Sequence, residues 1–118
     1  MIDDPRQSLL VAEVGGVLIG TVTTSALGGG RAYLGMLGVS PRLQAKGVGR
    51  ALVAAAESEA AARFSAHMME MTVIAKRTVL IAWYERLGYR LTGEQRPFPL
   101  DVPGRDELVQ VVLERQLA

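Results

Sequence analysis

The chain of 118 residues contains no cysteine and only one histidine, His67. Without cysteine there is no disulfide framework, no thiol nucleophile and no cysteine-ligated zinc site. A single histidine also argues against a histidine-rich metal centre. We therefore expect a protein that works without a metal ion.

Neither sign of charge dominates, since 13 basic residues stand against 12 acidic ones and the formal net charge is +1. This balance gives no general attraction to nucleic acid or to a membrane surface, so neither is an expected partner. A long apolar run is missing too, because the longest uncharged stretch, residues 14–30, is interrupted by glycine, threonine and serine. Residues 1–5 lack the positive start and apolar centre of a signal peptide, and we expect a soluble, cytoplasmic protein.

Apolar residues make up 49% of the chain, which fits one globular domain over residues 1–118 with a modest core. Periodicity and turn residues predict strands at 8–14, 17–26, 32–39, 67–75, 89–95 and 108–114, and helices at 49–64 and 78–87. The order is β-β-β-α-β-α-β-β, an α/β fold whose mixed sheet begins as an antiparallel meander. Because the third and fourth strands enclose a helix, they should run parallel as neighbours through a right-handed crossover.

Three local patterns support these assignments. Gly15-Gly16 provides the positive φ angles that a tight hairpin turn prefers. Gly88 stands where a left-handed residue would end the second helix. Residues four apart form one apolar stripe on the first helix: Leu52, Ala56, Ala60 and Phe64.

The most informative stretch links the third strand to the first helix and runs from Val39 to Leu52. Gly47 and Gly49 let the backbone approach a ligand closely, because neither has a Cβ. The helix that follows offers unpaired amides and the positive end of its dipole, and Lys46 and Arg50 add positive charge. Together these groups have the chemistry of a phosphate cradle.

The spacing excludes two common phosphate cradles. A dinucleotide fingerprint needs a third glycine where Leu52 stands, and a Walker loop needs Gly-Lys-Ser/Thr where Gly49-Arg50-Ala51 stands. What remains is Gln44-x-x-Gly47-x-Gly49 after Val39-Ser40-Pro41, which resembles the acyl-CoA-binding motif of the GNAT family of N-acetyltransferases. For a bare Gly-x-Gly, an ordinary strand-to-helix turn is the alternative.

The resemblance runs from about Ser8 to the C-terminus and implies acetyl-CoA as the acyl donor. The CoA pyrophosphate would be held by the loop and helix start, which comprise Gln44, Ala45, Lys46, Gly47, Val48, Gly49 and Arg50. A bulge at Leu37, Gly38 and Val39 would expose amides for the pantetheine arm and the thioester carbonyl. In this family the parallel strands, here at 32–39 and 67–75, splay apart where CoA enters.

A second segment, Trp83 to Tyr89, resembles the family's Tyr-x-x-x-Gly-aromatic sequence. The resemblance implies that the Tyr84 hydroxyl protonates the departing thiolate, and a phenol with an ordinary pKa of about 10 carries its proton at neutral pH. Arg77 stands where the family often has an asparagine that touches the pantetheine arm. The alternatives are a core aromatic for Tyr84 and a solvated first-turn residue for Arg77.

A general base is needed because a lysine-like amine, with a pKa of about 10.4, is almost wholly protonated at pH 7. Glu70 is the candidate, since strand alternation separates it from Met69 and Met71 and places it on the face near the splay. The alternatives are a glutamate on a solvated or helix-covered face, and a water chain with no single base.

The front end departs from the family pattern. Family members usually begin with a further strand and one or two helices that wall off the acceptor site, and little precedes Ser8 here. We expect that the wall comes from another chain, that the acceptor pocket is unusually open, or that the gene product is incomplete. The uncovered edge of the meander favours self-association, and we predict a homodimer.

These features predict an N-acyltransferase that moves an acetyl group from acetyl-CoA to a primary amine of a small molecule or peptide. No cysteine is present for an acyl-enzyme and nothing marks a serine as a nucleophile, so attack would be direct within a ternary complex. A second hypothesis is a catalytically silent acyl-CoA-binding or regulatory module that needs a partner chain. A third is a phosphate-binding α/β domain, which ATP or NAD would stabilise better than acetyl-CoA.

Overall fold

The computed structural model describes residues 5–41, 47–97 and 109–117 of the chain. Within them lie strands β1 (Gln7–Val14), β2 (Val17–Gly28), β3 (Arg31–Val39), β4 (Met68–Ile74), β5 (Arg90–Pro97) and β6 (Val109–Gln116), with helices α1 (Val48–Phe64) and α2 (Thr78–Arg86). The predicted order β-β-β-α-β-α-β-β is confirmed, and the predicted bounds differ from these by one or two residues.

The chain divides into two compact units, Met1–Met69 with Gln116–Ala118, and Glu70–Arg115. In the first unit β2 lies between β1 and β3 and pairs antiparallel with both, so the predicted meander is confirmed. β1 and β2 join at Gly15 and Gly16, whose φ angles are 57° and 80°. Two consecutive positive φ angles are what a tight hairpin turn requires to match the twist of its strands. A single domain over residues 1–118 stays a prediction.

Helix α1 packs on the meander through an apolar face of small and aliphatic side chains. The fully covered members are Leu52, Val53, Ala56 and Ala60. Phe64, which we predicted on the same stripe, is only half-buried, because the helix ends there and the chain turns at Ser65 with φ 54°. Its ring instead lies 5.5 Å from the Arg63 guanidinium carbon.

Side chains also tie the second half of α1 to β1. The Ser8 hydroxyl donates to Glu59 Oε2 at 2.8 Å. Arg63 donates to the same hydroxyl oxygen, and to the Gln7 carbonyl oxygen at 3.1 Å. Ser8 is 7% exposed, so these bonds satisfy a polar group that would otherwise be buried without a partner.

The first unit also contains the start of β4, which is the neighbour of β3 in the sheet. The amides of His67 and Met68 both donate to the Gly30 carbonyl oxygen, at 2.8 and 3.2 Å, immediately before β3 begins at Arg31. Neighbouring strands that begin side by side run in the same direction, which confirms the predicted parallel pair. His67 itself is exposed, as its place at a strand start predicts.

In the second unit β6 lies between β4 and β5. The Ala75 amide donates to the Val109 carbonyl oxygen at 2.8 Å, and β5 pairs antiparallel with β6. Among the residues of this unit that the structure describes, the buried apolar ones are Met71, Val73, Tyr84, Tyr89, Val112 and Leu113. Gly88, with φ 102°, follows α2 as the left-handed residue that we predicted there.

Candidate active site

The start of α1 presents backbone amides without a side-chain cap in the described part of the chain. Gly47 precedes the helix in the left-handed conformation, with φ 80° and ψ 8°, and the first turn contains no acidic residue. The first helical bond runs from the Ala51 amide to the Gly47 carbonyl oxygen at 3.1 Å, so the preceding amides lack helical acceptors. This arrangement suits an anion, because the amides and the positive end of the helix dipole act together.

Not every residue of the predicted cradle can be placed. Gln44, Ala45 and Lys46 lie outside the described residues. Val48 and Gly49 belong to the first turn, where Gly49 is buried, and Arg50 is exposed beside them. An exposed guanidinium at the positive end of a helix adds to the local attraction for a phosphate group.

A bulge is present in β3, but it lies before two of the three residues predicted for it, since Gly38 and Val39 are regularly paired with Thr21 and Gly20. Thr21 is paired with Gly38 and Thr23 with Gly35, so two steps along β2 correspond to three along β3. The extra residue falls within the Met36-Leu37 pair and leaves part of the β3 backbone outside the regular ladder. Gly38 is exposed, and a Cβ added there would have its nearest contact at 3.8 Å, from the Thr21 hydroxyl oxygen. Gly38, next to the bulge, is therefore a point of β3 that a ligand can approach closely.

One residue that the sequence analysis missed sets the distance between α1 and this bulge. Gly20 on β2 is buried and is paired with Val39. A Cβ added to Gly20 would lie 2.7 Å from Leu52 Cδ1, 3.1 Å from the Gly38 carbonyl oxygen and 3.3 Å from Val48 Cγ1. Only glycine permits this approach, so Gly20 holds the start of α1 close to the end of β3.

Tyr84 lies on α2 in the second unit and is 6% exposed. Its ring makes edge-to-face contacts with Trp83, at a centroid distance of 4.9 Å, and with Tyr89, at 6.0 Å. Aromatic pairs at these distances and angles stabilise each other, and they fix the orientation of the Tyr84 ring. Such packing is expected of a core aromatic, which is the alternative role that we considered for Tyr84. It also holds the phenol group of Tyr84 in one orientation.

Arg77 is the residue that precedes α2. Its φ and ψ are −84° and 67°, its carbonyl oxygen accepts from the Ile81 amide at 3.0 Å, and its side chain is exposed. An exposed cation at this point agrees with either of the roles that we considered, a contact with a ligand or a solvated first-turn residue.

Glu70 on β4 is buried, with 5% exposure, and forms an ion pair with Arg96 on β5. Arg96 Nη2 lies 3.0 Å from Glu70 Oε2, and Arg96 Nε lies 2.8 Å from Glu94 Oε2. The alternative of a solvated glutamate is therefore wrong. Alternation along β4 did not predict the ion pair, because the partner is an arginine 26 positions further along the chain (96 − 70).

Comparison with known proteins gives these residues a context. The sequence matches the acetyltransferase (GNAT) family over residues 1–89, three quarters of the chain. The chain belongs to the GNAT family of acetyltransferases. No curated relative matches it.

Solved structures show that this GNAT acetyltransferase has the fold of its family. Nourseothricin acetyltransferase is 28% identical with a TM-score of 0.85, and the match covers 100% of this chain and 69% of that one. YncA from Salmonella typhimurium, solved with its cofactor acetyl-CoA, is 25% identical with a TM-score of 0.76, over 97% and 66% of the two chains. The Escherichia coli ribosomal-protein-S18-alanine N-acetyltransferase is 21% identical with a TM-score of 0.77, over 96% and 70%.

Membership supports acetyl-CoA-dependent acyl transfer to small-molecule or protein amines as the general activity of this GNAT protein. None of the helices in the described ranges is long and apolar enough to span a membrane. Within residues 5–41, 47–97 and 109–117, no three His, Asp or Glu side chains are grouped so that they could hold a metal ion.

The sequence analysis of this GNAT chain missed two residues, Gly20 and Arg96, and the sequence contained a signal for only the first of them. Gly20 interrupts a strand rich in valine, isoleucine and threonine, and a glycine there indicates a close approach of another element. Arg96 carried no such signal, because its partner Glu70 lies on a different strand.

Proposed function

We propose that this protein transfers an acetyl group from acetyl-CoA to a primary amine by direct attack in a ternary complex. The observation that carries the proposal is the start of α1, where uncapped amides follow a left-handed Gly47. Gly20 holds these amides next to the end of the bulged β3. A pyrophosphate and a thioester arm need two such neighbouring sets of backbone donors.

Each proposed role follows from the character of the group. The amides of Gly47, Val48 and Gly49, with the Arg50 side chain, hold the pyrophosphate of acetyl-CoA, whose thioester supplies an activated acyl group when bound. The cradle extends to Gln44, Ala45 and Lys46 on sequence grounds alone. Leu37, Gly38 and Val39 contribute backbone groups to the pantetheine arm, and Arg77 contributes its guanidinium.

Tyr84 donates a proton to the departing CoA sulfur, and Glu70 removes a proton from the attacking ammonium. The rigid aromatic packing of Tyr84 supports the first role, since a fixed donor loses little entropy when it acts. The buried position of Glu70 supports the second, since a carboxylate away from bulk water interacts more strongly with a cationic amine.

A CoA-release assay with acetyl-CoA and a panel of amines tests the proposal. The panel should include a polyamine, lysine, an aminoglycoside-type amine and peptides with a primary N-terminal amine. We expect CoA release with at least one member and a loss of about 10²–10⁴-fold in kcat in Tyr84→Phe, the range typical of a lost general acid. Tyr89→Phe is the matched control, because Tyr89 is a buried neighbour in the same ring cluster.

Three results would contradict this proposal. Full activity in Tyr84→Phe removes Tyr84 from the mechanism. Binding of acetyl-CoA without turnover on any amine favours the catalytically silent acyl-CoA-binding module, and stabilisation by ATP or NAD in place of acetyl-CoA favours the nucleotide-binding domain.

We also propose a homodimer formed at β1. β1 is the outer strand of the first unit, and Leu9 and Val11, on one of its faces, are 53% and 50% exposed. An antiparallel pairing of two copies centred on Leu10 would place Leu9 of one copy opposite Val11 of the other, so apolar side chains would meet twice. Sedimentation should show a dimer at micromolar concentration and a monomer for Leu9→Lys, whereas a monomeric parent protein refutes the proposal.

A cytoplasmic location stays a prediction of the sequence.

A further inference from the structure

We propose that Arg96 is a positioning residue that holds the Glu70 carboxylate in the orientation needed to accept a proton from the amine. The inference rests on the proposed function, in which Glu70 is the general base. It assigns a role in the reaction to a residue of β5 that the sequence motifs do not include.

The contacts form a chain of three charged side chains within the second unit. Arg96 Nη2 donates to Glu70 Oε2 at 3.0 Å. The same guanidinium donates to Glu94 through Nε at 2.8 Å and through Nη2 at 3.4 Å. The side chain of Glu70 is 7% exposed, that of Arg96 36% and that of Glu94 54%, so the chain leads from the interior to the surface.

Arg96 lies close to an irregularity in the pairing of β5. Leu91 is paired with Leu113 and Gln95 with Val111, so four steps on β5 correspond to two on β6. Gly93 lies within this irregularity with φ 90°. Extra residues in a strand bend it locally, and regular pairing has resumed at Arg96, which is paired with Gln110.

Glu94 holds the guanidinium in place. Its hydrogen bond is the strongest influence that raises the pKa of Arg96 above the ordinary value. Burial opposes this rise, and the hydrogen bond and charge of Glu70 add to it. A guanidinium that is already held by Glu94 loses less conformational entropy when it also bonds Glu70. The exposed Glu94 therefore acts on the buried Glu70 indirectly, through Arg96.

The contact with Arg96 is compatible with proton transfer. A carboxylate has two oxygens and about four acceptor directions, so it can accept more than one hydrogen bond. Loss of the Arg96 charge beside a buried carboxylate is unfavourable, because less of the carboxylate charge is then compensated. Arg96 therefore helps to hold Glu70 in its buried position and orientation.

The test compares Arg96→Gln, Arg96→Lys, Glu94→Gln, Glu70→Gln and the double variant Arg96→Gln/Glu70→Gln in the CoA-release assay. Arg90→Gln is the matched control, because Arg90 also lies on β5 and pairs with a glutamate, Glu114, at 3.5 Å. Wild-type turnover is measured first: if no amine gives CoA release, the proposed function fails before any variant is made.

We expect Arg96→Gln to lower kcat by about 10- to 100-fold, the effect of a misplaced catalytic group, with the KM for acetyl-CoA unchanged. Arg96→Lys should recover part of the loss, because an ammonium can bond one carboxylate but not bridge two in a plane. Glu94→Gln changes an exposed residue and should lower kcat by a smaller factor without unfolding the protein. Arg90→Gln should match the parent protein.

The double variant decides the inference. If Arg96 acts through Glu70, then Arg96→Gln/Glu70→Gln is no slower than Glu70→Gln alone. The inference is overturned if the two effects multiply, if Arg96→Gln keeps the parent kcat, or if Arg96→Gln slows the reaction while Glu70→Gln does not. Circular dichroism and stabilisation by acetyl-CoA verify that each variant is folded, and Glu94→Gln in the Glu70→Gln background repeats the comparison if Arg96→Gln does not fold.

Discussion

Replacement of Gly20 by alanine tests the packing of α1 against the meander. The new Cβ would lie 2.7 Å from Leu52 Cδ1, and Leu52 is 4% exposed, so it has little room to move away. The second contact, at 3.1 Å, is with the Gly38 carbonyl oxygen, which belongs to the backbone. A third close atom is Val48 Cγ1 at 3.3 Å, and relief of these contacts requires a small shift of α1 or of β3.

The expected loss of stability follows from these contacts. Overpacking of this kind costs about 2 kcal/mol. Alanine also restricts the unfolded chain more than glycine does, which offsets about 0.5 kcal/mol and leaves a net loss of about 1.5 kcal/mol. With an unfolding entropy of about 2.1 cal/mol/K per residue, a chain of 118 residues has about 250 cal/mol/K, and the melting temperature should fall by about 6 °C.

Function should change with stability, because the displaced groups are those proposed to bind the donor. We expect the KM for acetyl-CoA to rise by about three- to tenfold, equivalent to about 0.6–1.4 kcal/mol of binding free energy. Thermal unfolding and CoA-release kinetics measure the two effects. In a Leu52→Ala background the stability loss from Gly20→Ala should shrink, since the shortest of the three close contacts is removed. An unchanged or higher melting temperature together with an unchanged KM would refute the reasoning.

Further predictions concern the cradle and the core. Gly47→Ala should lose about 1–2 kcal/mol through its positive φ and raise the KM for acetyl-CoA, whereas Gly16→Ala, with the same φ of 80° and equally open surroundings, should lose similar stability and leave KM unchanged. Ser8→Ala should lower the free energy of unfolding by about 1 kcal/mol, because Glu59 loses its 2.8 Å donor. Met69→Ala, at a residue with 0% exposure, should cost about 2–5 kcal/mol, and equilibrium denaturation measures both changes.

Local chemistry explains why the order of elements could be predicted. Gly15-Gly16 specifies its turn without help from the rest of the chain, and its φ angles agree with the expectation. The same holds for Gly88, which can adopt a left-handed conformation wherever it stands. The resemblance predicted a bulge in β3, and the pairing register shows one at Met36-Leu37, slightly before the predicted position.

The remaining features depend on contacts between distant parts of the chain. Phe64 satisfies the helical periodicity but lies at a helix end, where no neighbouring element covers it fully. The charge of buried Glu70 is compensated by Arg96, a residue of β5 that lies 26 positions further along the chain (96 − 70). Such contacts are decided by three-dimensional packing, so periodicity along one strand cannot predict them.

The missing side-chain cap on α1 has a thermodynamic consequence for how the protein is handled. A Ser, Thr, Asp or Asn cap contributes about 1 kcal/mol to the stability of a helix, and the described residues around Gly47 provide no such side-chain cap. An anion that occupies those amides restores the missing acceptors, so the liganded form is the more robust one. At a concentration 100 times its Kd, acetyl-CoA should add about 2.7 kcal/mol and raise the melting temperature by about 11 °C. Purification and crystallisation in the presence of a CoA compound should therefore yield the longer-lived sample.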